Sequence, residues 1–325
     1  MNASVFHRYG SPREMTLEQV PVPTLGSNDV LIKSEYTTVT AGDCEARRSD
    51  FPSWVWLPLR LYFGVLKPRF KVLGQEVSGT VVCTGSDVTK FKVGDQVAAS
   101  AGMSFGTYAE YVKLPEDACM IRLSEGANME AAATIPTGGL NGLHFVRKAE
   151  VKDGDVVLIN GAGGSIGTYA IQFAKQLGAY VIAVDSLEKH PMLLQAGADE
   201  IIDYKKTDFT RTNMNYDVII DIVGHSHYSR SVRSLKTGGR YVLGNPSFSG
   251  MLRSVMTPML SSKKVYFEFA EYSTELMTLI ADQIEDGSLE VIIDRALPLS
   301  EMHTAHALVE SGKKKGNLII DFSAS

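Results

Sequence analysis

VVLINGAGGSIGTYAIQFAKQLGAYVIAVD, residues 156–185, joins two apolar runs through a glycine-dense turn and one amphipathic stretch. Val156 to Ile159 feed the turn. Ile166, Ala170, Ile171 and Ala174 follow at helical spacing, and the run from Tyr180 to Val184 ends on Asp185. Strand, turn, helix and strand in that order form a dinucleotide-binding βαβ unit. Glycines let the backbone approach a pyrophosphate, and the helix behind them offers free N–H groups and a partial positive charge. Two registers fit the turn. Gly161, Gly164 and Gly167 are spaced three apart, whereas Ala162, Gly164 and Gly167 match the fingerprint with alanine first. The second is preferred, because it sets Gly167 at the helix–strand contact and Gly164 nearest the phosphate. Gly163 adds conformational freedom, Ser165 a hydroxyl donor, and Ile166 begins the helical repeat. Asp185 stands where a carboxylate accepts hydrogen bonds from an adenosine ribose.

The rest of the chain bounds what surrounds this unit. Its 325 residues suffice for two domains. Hydrophobic content of 44%, charged content of 21% and a net charge of −5 describe a soluble globular protein with no general attraction for nucleic acid or anionic membrane. Cys44, Cys83 and Cys119 lie too far apart for a disulfide scaffold or a CxxC zinc site, so reduced thiols in a cytoplasmic protein are expected. The opening, MNASVFHRYGSPREM, carries early charges and lacks the apolar core of a secretory signal. The most apolar segment, FPSWVWLPLRLYFGVLKP (51–68), is interrupted by Pro52, Pro58 and Arg60. It reads as a loop and not as a membrane span.

Before residue 123 the pattern is β-rich. Val30–Ser34, Ser78–Val82 and Gln96–Ala99 are short strand-like runs between turn signals, which suggests a compact barrel-like domain. From Leu123 helical periodicity enters. Met129–Ala133 starts a helix, Gly138-Gly139 interrupts it and Leu140–Lys148 resumes it. After the βαβ unit, strand-like Ile201–Asp203, Tyr216–Ile222, Arg240–Leu243 and Val265–Phe269 alternate with helical stretches, as in a parallel sheet covered on both faces. Thr274–Asp286 reads as helix. Glu290–Asp294 and Leu318–Phe322 read as strands flanking a helix at 300–310, a tail too short to fold alone that returns to the first domain.

Several motifs in this order resemble the medium-chain dehydrogenase/reductases, most closely their zinc-free, quinone-oxidoreductase-like branch. They are LGQEVSGTVVCTGSDVTKFKVGDQV (73–97), GTYAEYVKLPED (106–117), EAAATIPTGGLNGLHFV (130–146), the glycine turn and GADEIIDYKKTDF (197–209). The resemblance implies an α/β fold of two domains. A GroES-like β-rich catalytic domain takes 1–122 and 288–325, and a Rossmann doubly wound parallel-sheet domain takes 123–287, with the active site in the cleft. It also implies a homodimer through the outer edge of the Rossmann sheets. Zinc-dependent members place a cysteine where this chain has Thr40, and a histidine where Gly74-Gln75-Glu76 has Gln75. Zinc favours thiolate, imidazole or carboxylate, so no zinc is expected. Cys44, one thiol with no histidine near it in sequence, reads as a small buried hydrophobe.

Without a metal, deprotonating an alcohol is difficult, because zinc normally lowers that oxygen's pKa. Reducing a quinone or conjugated carbonyl is easier: hydride adds at an electron-poor centre, and a proton follows from water or a weak acid. The resemblance therefore points to NAD(P)H-dependent reduction of a small hydrophobic quinone or enone. An alcohol or aldehyde dehydrogenase of the same superfamily, or a non-catalytic dinucleotide-binding protein, stands as the alternative. Thr40, Asp43 and Thr137 map to positions at the nicotinamide end. Asp43 with Arg47 equally fits an i,i+4 ion pair, and Thr137 a helix cap. Asn245, after a strand's carboxyl end, suits the carboxamide or a turn. Asp185 favours NAD(H), while Ser186 and Lys189 beside it could serve the extra phosphate of NADP(H). Tyr204 matches a position near the adenine, or is a surface tyrosine. The aromatic 51–68 segment fits a lid over a flat substrate, or packing against the barrel or the dimer partner. His303 and His306 read as solvent-facing or capping.

Overall fold

Val157, Leu158 and Ile159, Val181 to Ala183, and Val218 to Ile220 have no accessible surface, as strands covered on both faces require. A computed structural model describes residues 1–324, and in it the chain packs as two units. The first comprises Met1–Thr137 and the chain from Tyr272 on; the second is Gly138–Glu271. Residues 123–137 and 272–287, grouped from the sequence with the nucleotide-binding domain, pack with the first unit.

In the first unit a hairpin of β1 (Asn2–Val5) and β2 (Thr16–Gln19) precedes β3 (Asp29–Thr38), the longest strand. Around it run β4 (Glu76–Thr84), β5 (Gln96–Ser100), β6 (Tyr111–Pro115) and β7 (Met120–Arg122). Strand β3 pairs antiparallel with β4 and β6. Val30, Ile32, Val77, Val81, Val97 and Val112 alternate inward from these strands to make one apolar core. Between β3 and β4 lie α1 (Ala41–Arg48) and α2 (Ser53–Phe63). Segment 51–68 is thus largely helical and not the loop expected from its prolines. Phe63 stacks on Phe51 at 5.2 Å and packs against Phe70 and Phe105, so an aromatic cluster outweighs the cost of Pro58 inside the helix.

The chain then turns helical through α3 (Met129–Ala132), a π-turn at Ile135–Gly139 and α4 (Leu140–Lys148), matching the interrupted helix expected at Gly138-Gly139. The second unit carries β8 (Val156–Asn160), α5 (Ser165–Gln176), β9 (Tyr180–Asp185), α6 (His190–Gln195) and β10 (Glu200–Asp203). Next come β11 (Tyr216–Asp221), α7 (Tyr228–Arg233), β12 (Leu235–Leu243), α8 (Phe248–Leu260) and β13 (Lys264–Tyr266). All six strands are parallel in the order β10-β9-β8-β11-β12-β13. That is the doubly wound dinucleotide order, with its reversal of direction between β8 and β11. Helix α8 had no counterpart in the sequence reading. Ser247 caps it by accepting from the Gly250 N–H.

Finally α9 (Thr274–Glu285), β14 (Ile293–Pro298), α10 (Met302–Glu310) and β15 (Asn317–Asp321) complete the first unit. Strand β15 pairs antiparallel with β3, Ile319 opposite Thr38, so the tail joins the sheet formed by the first third of the chain. Strand β14 starts at Ile293, three residues later than expected from Glu290. Among the described residues no helix is long and apolar enough to cross a membrane.

Candidate functional site

In the second unit the turn after β8 is closed by its own backbone. The N–H groups of Gly161 and Ala162 both donate to the Val184 carbonyl, at 3.1 and 3.2 Å, and the Gly163 N–H donates to Asp185 Oδ2 at 2.8 Å. Gly161 has φ 84°, and a Cβ there would meet Val223 at 2.7 Å. A Cβ on Gly167 would fall 2.4 Å from the Ala162 carbonyl oxygen, so glycine brings α5 directly onto the turn. Ala162, Gly163 and Gly167 are buried. Gly164, Ser165 and Ile166 remain partly accessible, and a Cβ on Gly164 would find only the Gly161 oxygen at 3.7 Å. No side chain caps α5 at Gly164. An uncapped helix N-terminus behind an unobstructed glycine is suited to an anion.

Asp185, Ser186 and Lys189 gather beside this turn, each at least nine-tenths buried. Asp185 Oδ2 accepts from Gly163, Oδ1 accepts from the Ser186 N–H at 2.8 Å, and Lys189 Nζ lies 3.2 Å from Oδ1. Both carboxylate oxygens are engaged, and the lysine stem lies across Gly163. Tyr204 is 57% exposed, and its N–H donates to the Asp185 carbonyl at 3.3 Å. Asn245 is exposed just past β12, its carbonyl oxygen against Gly224. The sequence reading missed Asp221 at the end of β11. This buried carboxylate accepts from Asn160 Nδ2 at 2.8 Å, the Gly224 N–H at 3.0 Å, the Tyr241 hydroxyl at 2.9 Å and Ser226. It ties β8 to β11 where the strand order reverses.

In the first unit Thr40 and Asp43 form a capping box. Thr40 Oγ1 donates to Asp43 Oδ2 at 2.7 Å, and the Asp43 N–H returns to Thr40 Oγ1 at 3.2 Å. Asp43 is fully buried, which raises its pKa against the opposing pull of Thr40, and the Tyr108 hydroxyl sits beside it without closing a hydrogen bond of ordinary geometry. The i,i+4 pair of Asp43 with Arg47 does not form; Arg47, equally buried, pairs with Glu310 of α10. Cys44 has no histidine near it in sequence, yet the fold brings His306 Nδ1 within 3.3 Å of its sulfur. His306 is likewise buried and not solvent-facing, with the Tyr108 ring edge-on at 5.8 Å. Burial, then Arg47 and Arg48, pull the imidazole down to about 3, and burial pushes the thiol up to about 12, so both stay neutral. Neutral partners make a packed thiol–imidazole contact and not an activated nucleophile. Among the described residues no three His, Cys, Asp or Glu side chains converge to hold a metal ion. Gln75 lies near Gly42 and the start of α1, its amide oxygen 3.6 Å from where a Cβ on Gly42 would be.

Thr137 meets this region through Glu76, which sequence reasoning had not singled out. Glu76 Oε2 accepts the Thr137 N–H at 2.6 Å, and Oε1 accepts from the Thr38 hydroxyl. Buried at the start of β4, Glu76 has its pKa raised by desolvation to about 7 despite those donors.

The pairing of a GroES-like β domain with a Rossmann-like sheet defines an oxidoreductase architecture. Residues 26–124 match the family described as alcohol dehydrogenase GroES-like domain, and residues 196–320 match the zinc-binding dehydrogenase family. The chain is 31% identical to the quinone oxidoreductase of Pseudomonas aeruginosa, over 76% of this chain and 81% of that protein. It is 29% identical to alcohol dehydrogenase 2 of Caenorhabditis elegans, over 99% and 97%. The solved quinone oxidoreductase of Coxiella burnetii superposes with a TM-score of 0.86 at 31% identity, covering 99% of both chains. The chain therefore belongs to the medium-chain dehydrogenase/reductase superfamily, as a homologue of its quinone oxidoreductases.

Glu76 generates a pH prediction. Its folded pKa lies above that of the unfolded chain, so its contribution is complete below the ordinary carboxylate pKa and is lost as pH rises through about 7. Glu76→Gln keeps one acceptor for Thr137 and a donor for Thr38 without a charge. Urea unfolding should show the variant gaining on the wild type between pH 5 and pH 8. A constant difference across that range contradicts the assignment.

Proposed function

We propose that this chain is a zinc-independent, NAD(P)H-dependent oxidoreductase that reduces quinones or α,β-unsaturated carbonyls by hydride transfer. The observation that carries the reading is the uncapped start of α5 behind Gly164, a cradle that any larger side chain would fill. The residues present fit a dinucleotide. Gly164, Ser165 and Ile166 are the accessible part of the turn and would hold the diphosphate, with Gly161, Ala162, Gly163 and Gly167 shaping it. Tyr204 offers an exposed ring to the adenine, and Asn245 an exposed amide to the carboxamide. A nicotinamide coenzyme supplies the hydride when bound.

Thr40, Asp43 and Thr137 act by positioning. The Thr40 hydroxyl is spent on Asp43, and the Thr137 N–H on Glu76, so each fixes the backbone around it and none is poised as a strong base. A hydride acceptor that takes its proton from water needs no such base. Thr40 and Gln75 offer a zinc ion neither thiolate nor imidazole, which supports metal-independent reduction. The alternative, alcohol oxidation, is favoured by the likeness to the Caenorhabditis elegans alcohol dehydrogenase.

Asp185 favours NAD(H), because a carboxylate beside the ribose repels a 2′-phosphate. Lys189 pairs with that carboxylate, which softens the repulsion and leaves NADP(H) usable. We also propose a homodimer. Strand β13 is an unpaired sheet edge, and α8 just before it turns Gly250 and Ser254 inward while exposing Phe248, Leu252, Val255 and Met259. A monomer by light scattering contradicts this.

Stopped-flow assays of NADH and NADPH against quinones, enones, aldehydes and alcohols, in chelator, test the reading. Retained quinone or enone reduction without alcohol oxidation is the expected result. Activity that needs added zinc, or alcohol oxidation as the dominant reaction, overturns it. In the same panel Asp185→Ser frees Lys189 and should raise the NADPH-to-NADH ratio of kcat/KM roughly tenfold, about 1.4 kcal/mol. An unchanged ratio removes Asp185 and Lys189 from coenzyme choice.

A further inference from the structure

Helix α2 packs one face and leaves the other bare. Phe63, 3% exposed, sits in the aromatic cluster with Phe51, Phe70 and Phe105. Leu57 and Leu61, one turn apart on the opposite side, are 61% and 62% exposed, and Trp56 is also exposed. The helix ends at Gly64, where φ is 111° and a Cβ would lie 2.2 Å from the Lys67 carbonyl oxygen, so only glycine makes this exit. Beyond it Val65 is exposed, and Leu66 is 89% exposed.

This tip is held firmly. The Gly64 N–H donates to the Arg60 carbonyl at 3.0 Å, the Arg69 N–H to the Phe63 carbonyl at 2.6 Å, and the Tyr9 hydroxyl to the Gly64 carbonyl at 2.7 Å. A fixed surface turn with leucine at its apex gains nothing from water. Contiguous exposed apolar side chains of this kind mark an interaction surface.

Charge identifies the partner. Between exposed Asp50 and buried Glu76 the chain carries four cations, Arg60, Lys67, Arg69 and Lys71, and no carboxylate, in a protein whose net charge is −5. None of the four comes within ion-pair distance of a carboxylate among the described residues, although Lys71 acts on Glu18 at longer range; Arg60 lies over the Tyr9 ring at 3.9 Å. Lys67 and Arg69 are exposed next to the apolar tip, and Lys71, also exposed, follows where the Phe6 N–H meets its carbonyl. Apolar side chains that enter an acyl boundary, ringed by cations that remain with headgroup phosphates, are what an anionic bilayer surface takes up.

We infer that α2 and the turn 64–71 form a peripheral docking surface for an anionic lipid bilayer. The protein lies on the membrane without spanning it. The segregation of charge reconciles this with an acidic chain: the docking surface is locally cationic, and screening confines its field to a Debye length or so. Docking is read without turnover, so its failure is distinct from failure of the reductase reading.

Flotation of the full chain with vesicles tests it. Vesicles of phosphatidylcholine with phosphatidylglycerol should carry the protein upward, vesicles of phosphatidylcholine alone much less, and raised salt should release it. Leu61→Glu with Leu66→Asp should reduce the bound fraction roughly tenfold or more, the scale of withdrawing buried leucines from an apolar phase. Lys67→Gln with Arg69→Gln should weaken binding several-fold and flatten its salt dependence. Both double variants change exposed side chains, so an unchanged thermal midpoint should accompany the loss. No flotation with anionic vesicles, or flotation indifferent to the leucine variant, overturns the proposal. A change of oligomeric state in that variant by light scattering, with vesicle binding intact, assigns the surface to a second copy and also overturns it.

Discussion

At residue 167 there is no room for a side chain. The first turn of α5 sits on the Ala162 backbone, and this contact sets where the helix begins and which way its first N–H groups face. The helix is anchored on its far side as well, where Gly142 of α4 brings the two helices together against Tyr169. With β8 and β9 buried beneath, the positive end of the helix dipole is fixed beside the accessible backbone of Gly164. The reading of the second unit as a coenzyme site descends from that constraint.

Buried polar groups organise the surroundings. Asp221 joins β8 and β11, Glu76 joins β3, β4 and the backbone of Thr137, and Asp43 closes the start of α1. Each carboxylate is out of water and accepts at least two donors, so each holds backbone segments in one arrangement. Asp185 follows the same rule: its carboxylate stitches β9 to the glycine turn by accepting the Gly163 N–H. Lys189 lies across the same carboxylate, its amine 3.2 Å from Oδ1, and offsets that buried charge.

The βαβ unit and the strand alternation after it were legible because their signals are local. Apolar runs four to six residues long and glycines at fixed offsets declare themselves within thirty residues. The capping box at Thr40 was short-range too, although its two residues had been read as lining a site. What escaped was long-range or contrary to propensity. Asn160 and Asp221 are 61 positions apart, and Cys44 and His306 are 262 apart, so no spacing rule could join them. Prolines hid α2, because helix propensity argues against Pro58, and only tertiary packing around Phe63 shows why the helix nonetheless forms. The likeness to both quinone oxidoreductases and alcohol dehydrogenases has the same origin: the scaffold is shared, and the few side chains that choose a reaction lie outside its periodic signals.

A crystal structure of the protein with NADH tests the central claim most directly. The diphosphate should lie against the backbone N–H groups at the start of α5, beside the Cα of Gly164. A coenzyme bound elsewhere, or a turn that stays empty at saturating NADH and NADPH, contradicts it.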